Sequence, residues 1–258
     1  MIRGLYISGM GMQAQMQTLD IVANNVANSN TTGFRGGTAI KQSFPEVLMK
    51  SINSNPGDAP HLRYPVGTTG LGVVLSDISI NFSNGILTPT GSALDLGIAG
   101  SGFFAVQTLN NAGVPQEMFT RSGSFTLTPE RTLVNLSGDR VLNTGGSPIT
   151  LPEGLITVSP AGEIFVDGNL VTTLRMVDFE DLTALRPFGH TLFTTIDGAV
   201  ETAFEGTIHQ GYLEGSNVNI IREMVSMINV ARAYELNQRM VTIHDTTLGQ
   251  AVSEIARR

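Results

Sequence analysis

The composition is that of a folded, mildly acidic protein. The chain has 258 residues, 41% of them hydrophobic and 14% charged, and a formal net charge of −7; this balance excludes a chain that is disordered throughout. The absence of cysteine excludes disulfide bonds, thiol catalysis and cysteine-ligated zinc. Residues 58–215 hold sixteen acids against six arginines, while both ends of the chain are nearly neutral. No basic surface for nucleic acid is therefore expected.

The N-terminal stretch is predicted to be neither a membrane span nor a cleaved signal. No apolar run reaches the roughly eighteen residues that a transmembrane helix requires. Serine, glycine and glutamine interrupt the first seventeen residues, so they lack the continuous apolar segment of a secretory signal. We therefore expect no membrane insertion and no cleaved signal peptide.

Residues 1–35 are predicted to form a long amphipathic helix that ends in a turn. Apolar residues recur every seven positions at Leu5, Met12, Leu19 and Val26, and a second set that includes Met16 follows four positions later. Two apolar positions in each heptad are typical of a helix that packs on other helices. The pattern predicts a helix of about 24 residues, or about 36 Å.

The helix leads into the sequence ANNVANSNTTGFR, residues Ala23–Arg35. Asparagine is a weak helix former that tolerates left-handed backbone and caps helix ends. Gly33 is predicted to reverse the chain, and Phe34 to anchor the turn. The uncharged amides of Asn24, Asn25 and Asn28 can donate and accept hydrogen bonds and pack closely without the desolvation of ions.

The middle of the chain is predicted to be a linker followed by an all-β domain. Residues 36–70 contain four prolines and read as an extended linker or a partly paired loop. Residues 71–215 are rich in glycine, threonine and β-branched residues, without helical periodicity. Within them Asp167-Gly168 is the signal of a type I′ turn in a β-hairpin.

Residues 216–258 are predicted to form a second long helix, capped by Ser216 or Asn217. Its apolar stripe alternates four- and three-residue steps and comprises Ile220, Met224, Met227, Ala231, Tyr234, Val241, Leu248 and Val252. The predicted fold is therefore α+β. The helices of residues 1–35 and 216–258 pair as a coiled-coil-like assembly domain, and residues 71–215 form a central all-β domain.

The residues predict no catalytic, cofactor or metal site. Two stretches, Gly9–Ala14 and Gly100–Ala105, match the spacing G-x-G-x-x-A, but neither joins a strand to a helix as a dinucleotide site requires. The four histidines lie far apart in the sequence, without a partner at metal-ligand spacing. A β-domain hydrolase or carbohydrate-binding module with helical extensions is the alternative from another class.

Four blocks of the sequence resemble the bacterial flagellar rod and hook proteins. Besides ANNVANSNTTGFR, these are TGSALDLGIAGSGFFAV (Thr90–Val106), FTRSGSFTLTPERTLVNLSGDRVL (Phe119–Leu142) and a C-terminal block, Gly211–Asp245, with the centre RAYELN. They occur in the order of the family and reach across most of the chain. One departure is Pro129–Thr132, where the family often has Asp-Gly, so a different turn is expected there.

The resemblance implies a structural protein without enzymatic activity, located in the flagellar basal body. Its terminal helices would pack into a helical tube of identical subunits and contact other rod and hook proteins and the surrounding rings. Asn24, Asn25 and Asn28 would form hydrogen bonds to neighbouring subunits. Family members reach this place through the flagellar type III export apparatus, without a cleaved signal. The segment Leu48–Ile78 most resembles distal rod members, with a proximal rod or hook subunit as the alternative.

Overall fold

The computed structural model describes residues 2–43, 47–51, 64–70, 72–109, 114–196 and 199–257. Two long helices stand at the ends of this described chain, α1 (Ile2–Ala27) and α2 (Ile220–Ala256), with twenty strands between them. The predicted α+β class, with helices from the two chain ends and a central β-rich part, is confirmed.

The chain forms two compact units. Unit 1 consists of Met1–Asn24, Gly37–Ser79 and Ile220–Arg258, and unit 2 of Asn25–Gly36 and Ile80–Asn219. These limits differ from the predicted division. The asparagine-rich turn and residues 216–219 belong to the β-rich unit, whereas residues 71–79 belong with the helices.

Unit 1 contains the helices and most of four strands. These are β1 (Gly37–Ser43), β2 (Val47–Ser51), β3 (Tyr64–Thr69) and β4 (Val73–Ile80), of which β1 pairs with β4 and β2 with β3. Within the predicted linker, the described residues thus include three paired strands. Residues 44–46 and 52–63 of that linker lie outside the described residues.

Hydrogen bonds set the C-terminal end of α1 and the start of α2. After α1, the amide of Ser29 donates to Val26 O at 3.2 Å and that of Thr31 to Asn28 O at 3.1 Å, so the backbone tightens into turns. The predicted cap of α2 is wrong, because the helix begins at Ile220. Asn217 instead donates from its amide to Asn81 O (2.6 Å) and Ser83 O (3.0 Å), which holds it in the preceding loop.

Unit 2 contains sixteen further strands in chain order. They are β5 (Leu87–Pro89), β6 (Leu96–Ala99), β7 (Phe103–Leu109), β8 (Pro115–Thr120), β9 (Phe125–Leu127), β10 (Leu133–Asn135), β11 (Arg140–Val141), β12 (Ile156–Val158), β13 (Glu163–Val166), β14 (Asn169–Thr173), β15 (Met176–Phe179), β16 (Leu185–Phe188), β17 (Leu192–Thr195), β18 (Glu201–Thr202), β19 (Thr207–Gln210) and β20 (Tyr212–Glu214). A 3-10 helix, Leu182–Ala184, precedes β16.

Most of these strands join one antiparallel sheet. Its order is β16-β17-β8-β7-β11-β10-β9. Strand β15 pairs with β7 on the same edge as β11, and its other partner is β18. A separate sheet has the order β12-β13-β14. Two further pairs are formed by β6 with β19 and by β5 with β20. The pairing of β5 with β20 places Leu87 opposite Glu214, shortly before the C-terminal helix begins.

Strand β7 supplies both hydrophobic cores of unit 2. Its residues Phe104 and Val106 belong to one cluster, and Phe103 and Ala105 to another, and all four are buried. Alternate side chains of a strand point to opposite faces, so a continuous apolar run of this kind indicates a strand covered on both sides. Strand β7 therefore lies between the two cores.

Two turns carry non-glycine residues in left-handed conformation. The hairpin of β13 and β14 turns at Asp167 (φ 51°) and Gly168 (φ 81°), which confirms the predicted type I′ turn. The second turn is Pro129–Thr132, which departs from the pattern of the rod and hook proteins, and Arg131 in it has φ 59°. Its guanidinium donates from Nε to Leu151 O (2.8 Å) and from Nη2 to Pro152 O (2.5 Å), which holds the strained backbone in place.

Candidate functional site

The two long helices of unit 1 run antiparallel to each other. A β-carbon added to Gly4 of α1 would lie 2.5 Å from His244 Nε2, and one added to Gly11 would lie 3.2 Å from Asn237 Nδ2. Seven residues forward along α1 therefore correspond to seven residues back along α2. The two side chains of α2 lie where α1 has no side chain, so the backbones approach closely.

The buried residues of α1 in unit 1 are small or β-branched. They are Ser8, Ala14, Thr18 and Val22, and the Thr18 hydroxyl donates to Ala14 O at 2.7 Å. The predicted seam lies beside this face, since Leu5, Met12 and Leu19 are half-buried. Met16 is 58% exposed. The face that α1 buries within the chain is therefore not the stripe of large residues that the heptad pattern suggested.

Helix α2 has one half-buried stripe. Met227, Tyr234, Val241 and Leu248 recur every seven residues on it, and Asn237 and His244 lie between them. Ala231 is half-buried beside this stripe. The other predicted positions, Ile220, Met224 and Val252, are exposed and lie off it.

A second apolar stripe of α2 is open to solvent, and we call it the outer stripe. Successive residues of a helix are turned by about 100°, which places its members within about a third of the circumference, opposite the half-buried stripe. The members are Ile221, Val225, Ile228, Leu236, Met240 and Ile243, all between 46% and 71% exposed. Two exposed arginines, Arg232 and Arg239, lie among these side chains. An exposed apolar face of this size is typical of a protein–protein interaction surface.

In unit 2 the asparagine-rich turn is buried within the chain. Asn25, Asn28, Gly33 and Phe34 are all buried, whereas Val26 is half-buried. Gly33 has φ +67°, its amide donates to Glu214 O at 2.8 Å, and a β-carbon there would lie 2.3 Å from Ser122 N. Only glycine fits this turn. Asn24, the last residue of unit 1, is exposed, and its contact with a neighbouring subunit stays a prediction.

Three buried charges hold the turn against the strands of unit 2. They are Arg35, Arg121 and Glu214, which we call the arginine–glutamate cluster. Arg35 Nη2 donates to Glu214 Oε1 at 2.8 Å, and Arg121 Nε lies 3.7 Å from Glu214 Oε2. Each side chain is at most 3% exposed. Glu214 Oε1 also accepts from the backbone amide of Gly85 at 2.7 Å. Four separate stretches of the chain thus meet at one carboxylate.

Two guanidinium groups share this single carboxylate. Burial lowers the pKa of Arg121 to about 10. The negative charge of Glu214 raises this pKa, and the positive charge of Arg35 lowers it further. Arg121 Nη2 donates to Gly100 O (2.5 Å) and Asn84 Oδ1 (2.7 Å), which disperses its charge into neutral acceptors. The cluster is therefore held by hydrogen bonds as much as by its ion pairs.

Sequence reasoning missed Arg121 and Glu214 as site residues. Both lie inside blocks that resemble the rod and hook family, FTRSGSF and GYLEGS. A signal was present, because charged residues are rarely buried unless they are paired. The pairing itself joins residues 179 positions apart in the sequence, which no local pattern reveals.

Other kinds of site were sought in the described part of the chain. Among those residues, no group of three or more histidine, aspartate or glutamate side chains is arranged to hold a metal ion. Neither described helix combines the length and the apolar character that a membrane crossing requires.

The fold is of the α+β class, and both chain ends contribute to one helical pair. Three family descriptions match the sequence: "Flagella basal body rod protein" over residues 5–35, "Flagellar hook protein FlgE/F/G D1 domain" over 97–166, and "Flagellar basal body rod FlgEFG protein C-terminal" over 209–254.

Similar proteins match along almost the whole chain. A rod protein FlgF of Caulobacter vibrioides is 34% identical over 244 residues, 93% of each chain. A rod protein FlgG of Agrobacterium fabrum is 30% identical over 260 residues, 95% of this chain and 96% of the relative. A rod protein FlgG of Buchnera aphidicola is 31% identical over 272 residues, 99% of this chain and 100% of the relative. The chain belongs to the flagellar basal-body rod and hook protein family.

This family consists of structural proteins of the flagellar basal body. Its three matched regions contain the elements described above. The first covers most of α1 and the asparagine-rich turn through Arg35, the second includes Arg121, and the third includes Glu214 and most of α2. All three charges of the arginine–glutamate cluster therefore lie in matched regions.

Proposed function

We propose that this chain is a distal rod subunit that polymerises into the helical axial tube of the flagellum. The tube transmits torque from the motor to the hook, and the subunit acts mechanically, without catalysis. The observation that carries this proposal is the outer stripe of α2, which a single chain leaves open to water.

The outer stripe has enough apolar surface to drive association. Full burial of one large aliphatic side chain is worth about 1.5–3 kcal/mol. Six side chains that are about half exposed therefore offer roughly 1 kcal/mol each. Identical subunits that cover this stripe by a contact that does not close on itself form an open helical filament.

The exposed residues of α1 provide a second surface for such contacts. Met16 is exposed on α1, and Met240 lies on the outer stripe. Flexible methionines adapt to neighbours of slightly different geometry. We infer that the helices of neighbouring copies cover both faces, and that the ends of the assembly contact other rod and hook proteins. The surrounding rings and the type III export apparatus complete the set of partners.

The distal type rests on the segment Leu48–Ile78, whose sequence resembles distal rod members. Relatives named FlgG and a relative named FlgF match at similar identity, so a proximal rod or hook subunit is the alternative. Complementation separates the two. The chain is expected to restore motility to bacteria that lack their distal rod protein, and restoration of the proximal mutant alone would favour the alternative.

Assembly is tested by a charge placed in the outer stripe. The substitution Ile228→Asp adds a carboxylate at an exposed position, so the isolated chain keeps its fold. Its burial between subunits would cost several kcal/mol. The matched control Gln238→Asp adds the same charge at an exposed position of α2 that lies off the stripe.

Polymerisation is followed by sedimentation and electron microscopy, and folding by circular dichroism. We expect tubes from the wild type and from Gln238→Asp, and only soluble chain from Ile228→Asp with an unchanged spectrum. Tubes formed equally well by Ile228→Asp would show that the outer stripe is not an assembly surface.

A further inference from the structure

The arginine–glutamate cluster encloses the one Asn-Gly dipeptide of the sequence, Asn84–Gly85. In such a dipeptide the backbone nitrogen of glycine can attack the side-chain carbonyl carbon of asparagine. The new C–N bond closes a succinimide ring and ammonia leaves. Water then opens the ring to aspartate or to isoaspartate. Glycine permits this best, because it has no side chain to obstruct the approach.

In the folded chain the attacking nitrogen is engaged. The amide of Gly85 donates to Glu214 Oε1 at 2.7 Å, and the carboxylate of Glu214 is only 1% exposed. This hydrogen bond fixes the orientation of the Gly85 amide, so it must break before the nitrogen can turn toward the side-chain carbonyl carbon of Asn84. Glu214 therefore blocks the first step of the reaction.

The electrophile is also held. Arg121 Nη2 donates to Asn84 Oδ1 at 2.7 Å, which fixes the orientation of the side-chain amide. Asn84 is nevertheless exposed to water, so water for the hydrolysis step is at hand. What prevents reaction is the hydrogen bond of the attacking nitrogen, and this hydrogen bond exists only while the cluster is closed.

The product isoaspartate does not fit the closed cluster. It lengthens the main chain by one methylene group at residue 84. Gly85 has no space for such a shift, since even an added β-carbon would lie 2.0 Å from Gly215 O. The other product, aspartate, keeps the normal main chain and places a carboxylate beside Arg121.

We propose that Asn84–Gly85 is a deamidation site that the arginine–glutamate cluster keeps inactive. The site reacts when the cluster opens, and isoaspartate at residue 84 then prevents the cluster from closing again. The chain thus carries a chemical record of the time that it spends unfolded. This inference does not depend on the rod assignment.

The test compares the folded full-length chain with the same chain in urea, at equal pH and temperature. Peptide mass spectrometry that separates aspartate from isoaspartate measures the conversion of Asn84 over time. We expect conversion at least about tenfold slower in the folded chain, because reaction there requires local opening. Equal rates in the two samples would overturn the proposal.

Two variants test the role of the cluster itself. Glu214→Gln is expected to increase the rate in the absence of urea, whereas Glu117→Gln, which alters an exposed ion pair, is expected to leave it unchanged. If Glu214→Gln does not fold, the comparison of the Asn84 conversion rates of the wild type with and without urea still tests the proposal. For the products, chains with isoaspartate are expected to refold poorly and Asn84→Asp to fold normally. Equal refolding of both would refute the steric argument.

Discussion

Neutralisation of Glu214 is expected to destabilise unit 2 far more than the loss of any exposed charge in it. In Glu214→Gln the side chain keeps its size, but two buried guanidinium groups lose their shared carboxylate. Arg35 Nη2 lies 2.8 Å and Arg121 Nε 3.7 Å from that carboxylate. Removal of one partner from a buried ion pair costs about 3–5 kcal/mol, a large part of the roughly 5–15 kcal/mol that stabilises a domain.

The expected change is measurable by thermal and urea unfolding. For a unit of this size each kcal/mol lowers the melting temperature by about 2–4 °C, so Glu214→Gln should lower it by about 6–20 °C. Far-ultraviolet circular dichroism in the β-sheet region follows the unfolding. The control Glu117→Gln removes a carboxylate that lies 2.6 Å from Arg175 Nε but is 37% exposed. It should cost about 1 kcal/mol or less.

Salt distinguishes the two sites further. Exposed ion pairs are screened at high ionic strength and buried ones much less. The difference in the free energy of unfolding between the wild type and Glu117→Gln should therefore shrink in 1 M salt. The corresponding difference for Glu214→Gln should persist. A Glu214→Gln variant that loses no more stability than Glu117→Gln would refute the claim that the cluster fastens the turn to the β-rich unit.

Three further predictions concern backbone positions and are measured by the same unfolding assays. Gly33→Ala should cost about 3 kcal/mol or more, since it meets both left-handed backbone and a clash; Gly91→Ala, at a similar φ with open space around it, should cost only about 1 kcal/mol. Gly11→Leu should weaken the helical pair by about 1–3 kcal/mol through overpacking, whereas Gly9→Leu, which has no neighbour within 4 Å, should be neutral or slightly stabilising. Arg131→Gly should destabilise by about 1 kcal/mol, because the loss of two hydrogen bonds outweighs the relief of strain. An effect of opposite sign in any control would contradict the assigned cause.

Local signals predicted much of the fold. The type I′ turn at Asp167-Gly168 could be read from two residues, because few sequences tolerate positive φ at both central positions. The N-terminal helix followed from the seven-residue period of its apolar residues. Gly33 was found as a chain reversal for the same reason as the hairpin turn. Each of these features depends on neighbours in the sequence.

The cap of α2 and the contents of the cluster could not be predicted in this way. Ser216 and Asn217 have the chemistry of helix caps, but hydrogen bonds to the loop around Asn81 and Ser83 engage Asn217. Tertiary hydrogen bonds therefore decided where the helix begins. The meeting of Arg35, Arg121 and Glu214 likewise depends on the strand pairing of unit 2, which brings distant segments together.

The inner face of α1 consists of small residues for a different physical reason. Close approach of two helices favours small residues, and Gly4 and Gly11 admit His244 and Asn237 where a larger residue would separate the backbones. The large apolar residues of α1 and α2 then lie at the edge of the contact or outside it, as Met16 and Ile228 do. Periodicity in a sequence records every apolar face, whether the same chain or another chain covers it. The residues that close the pair within one chain are the small ones, so the large exposed ones are the positions at which substitutions should affect assembly without affecting the fold.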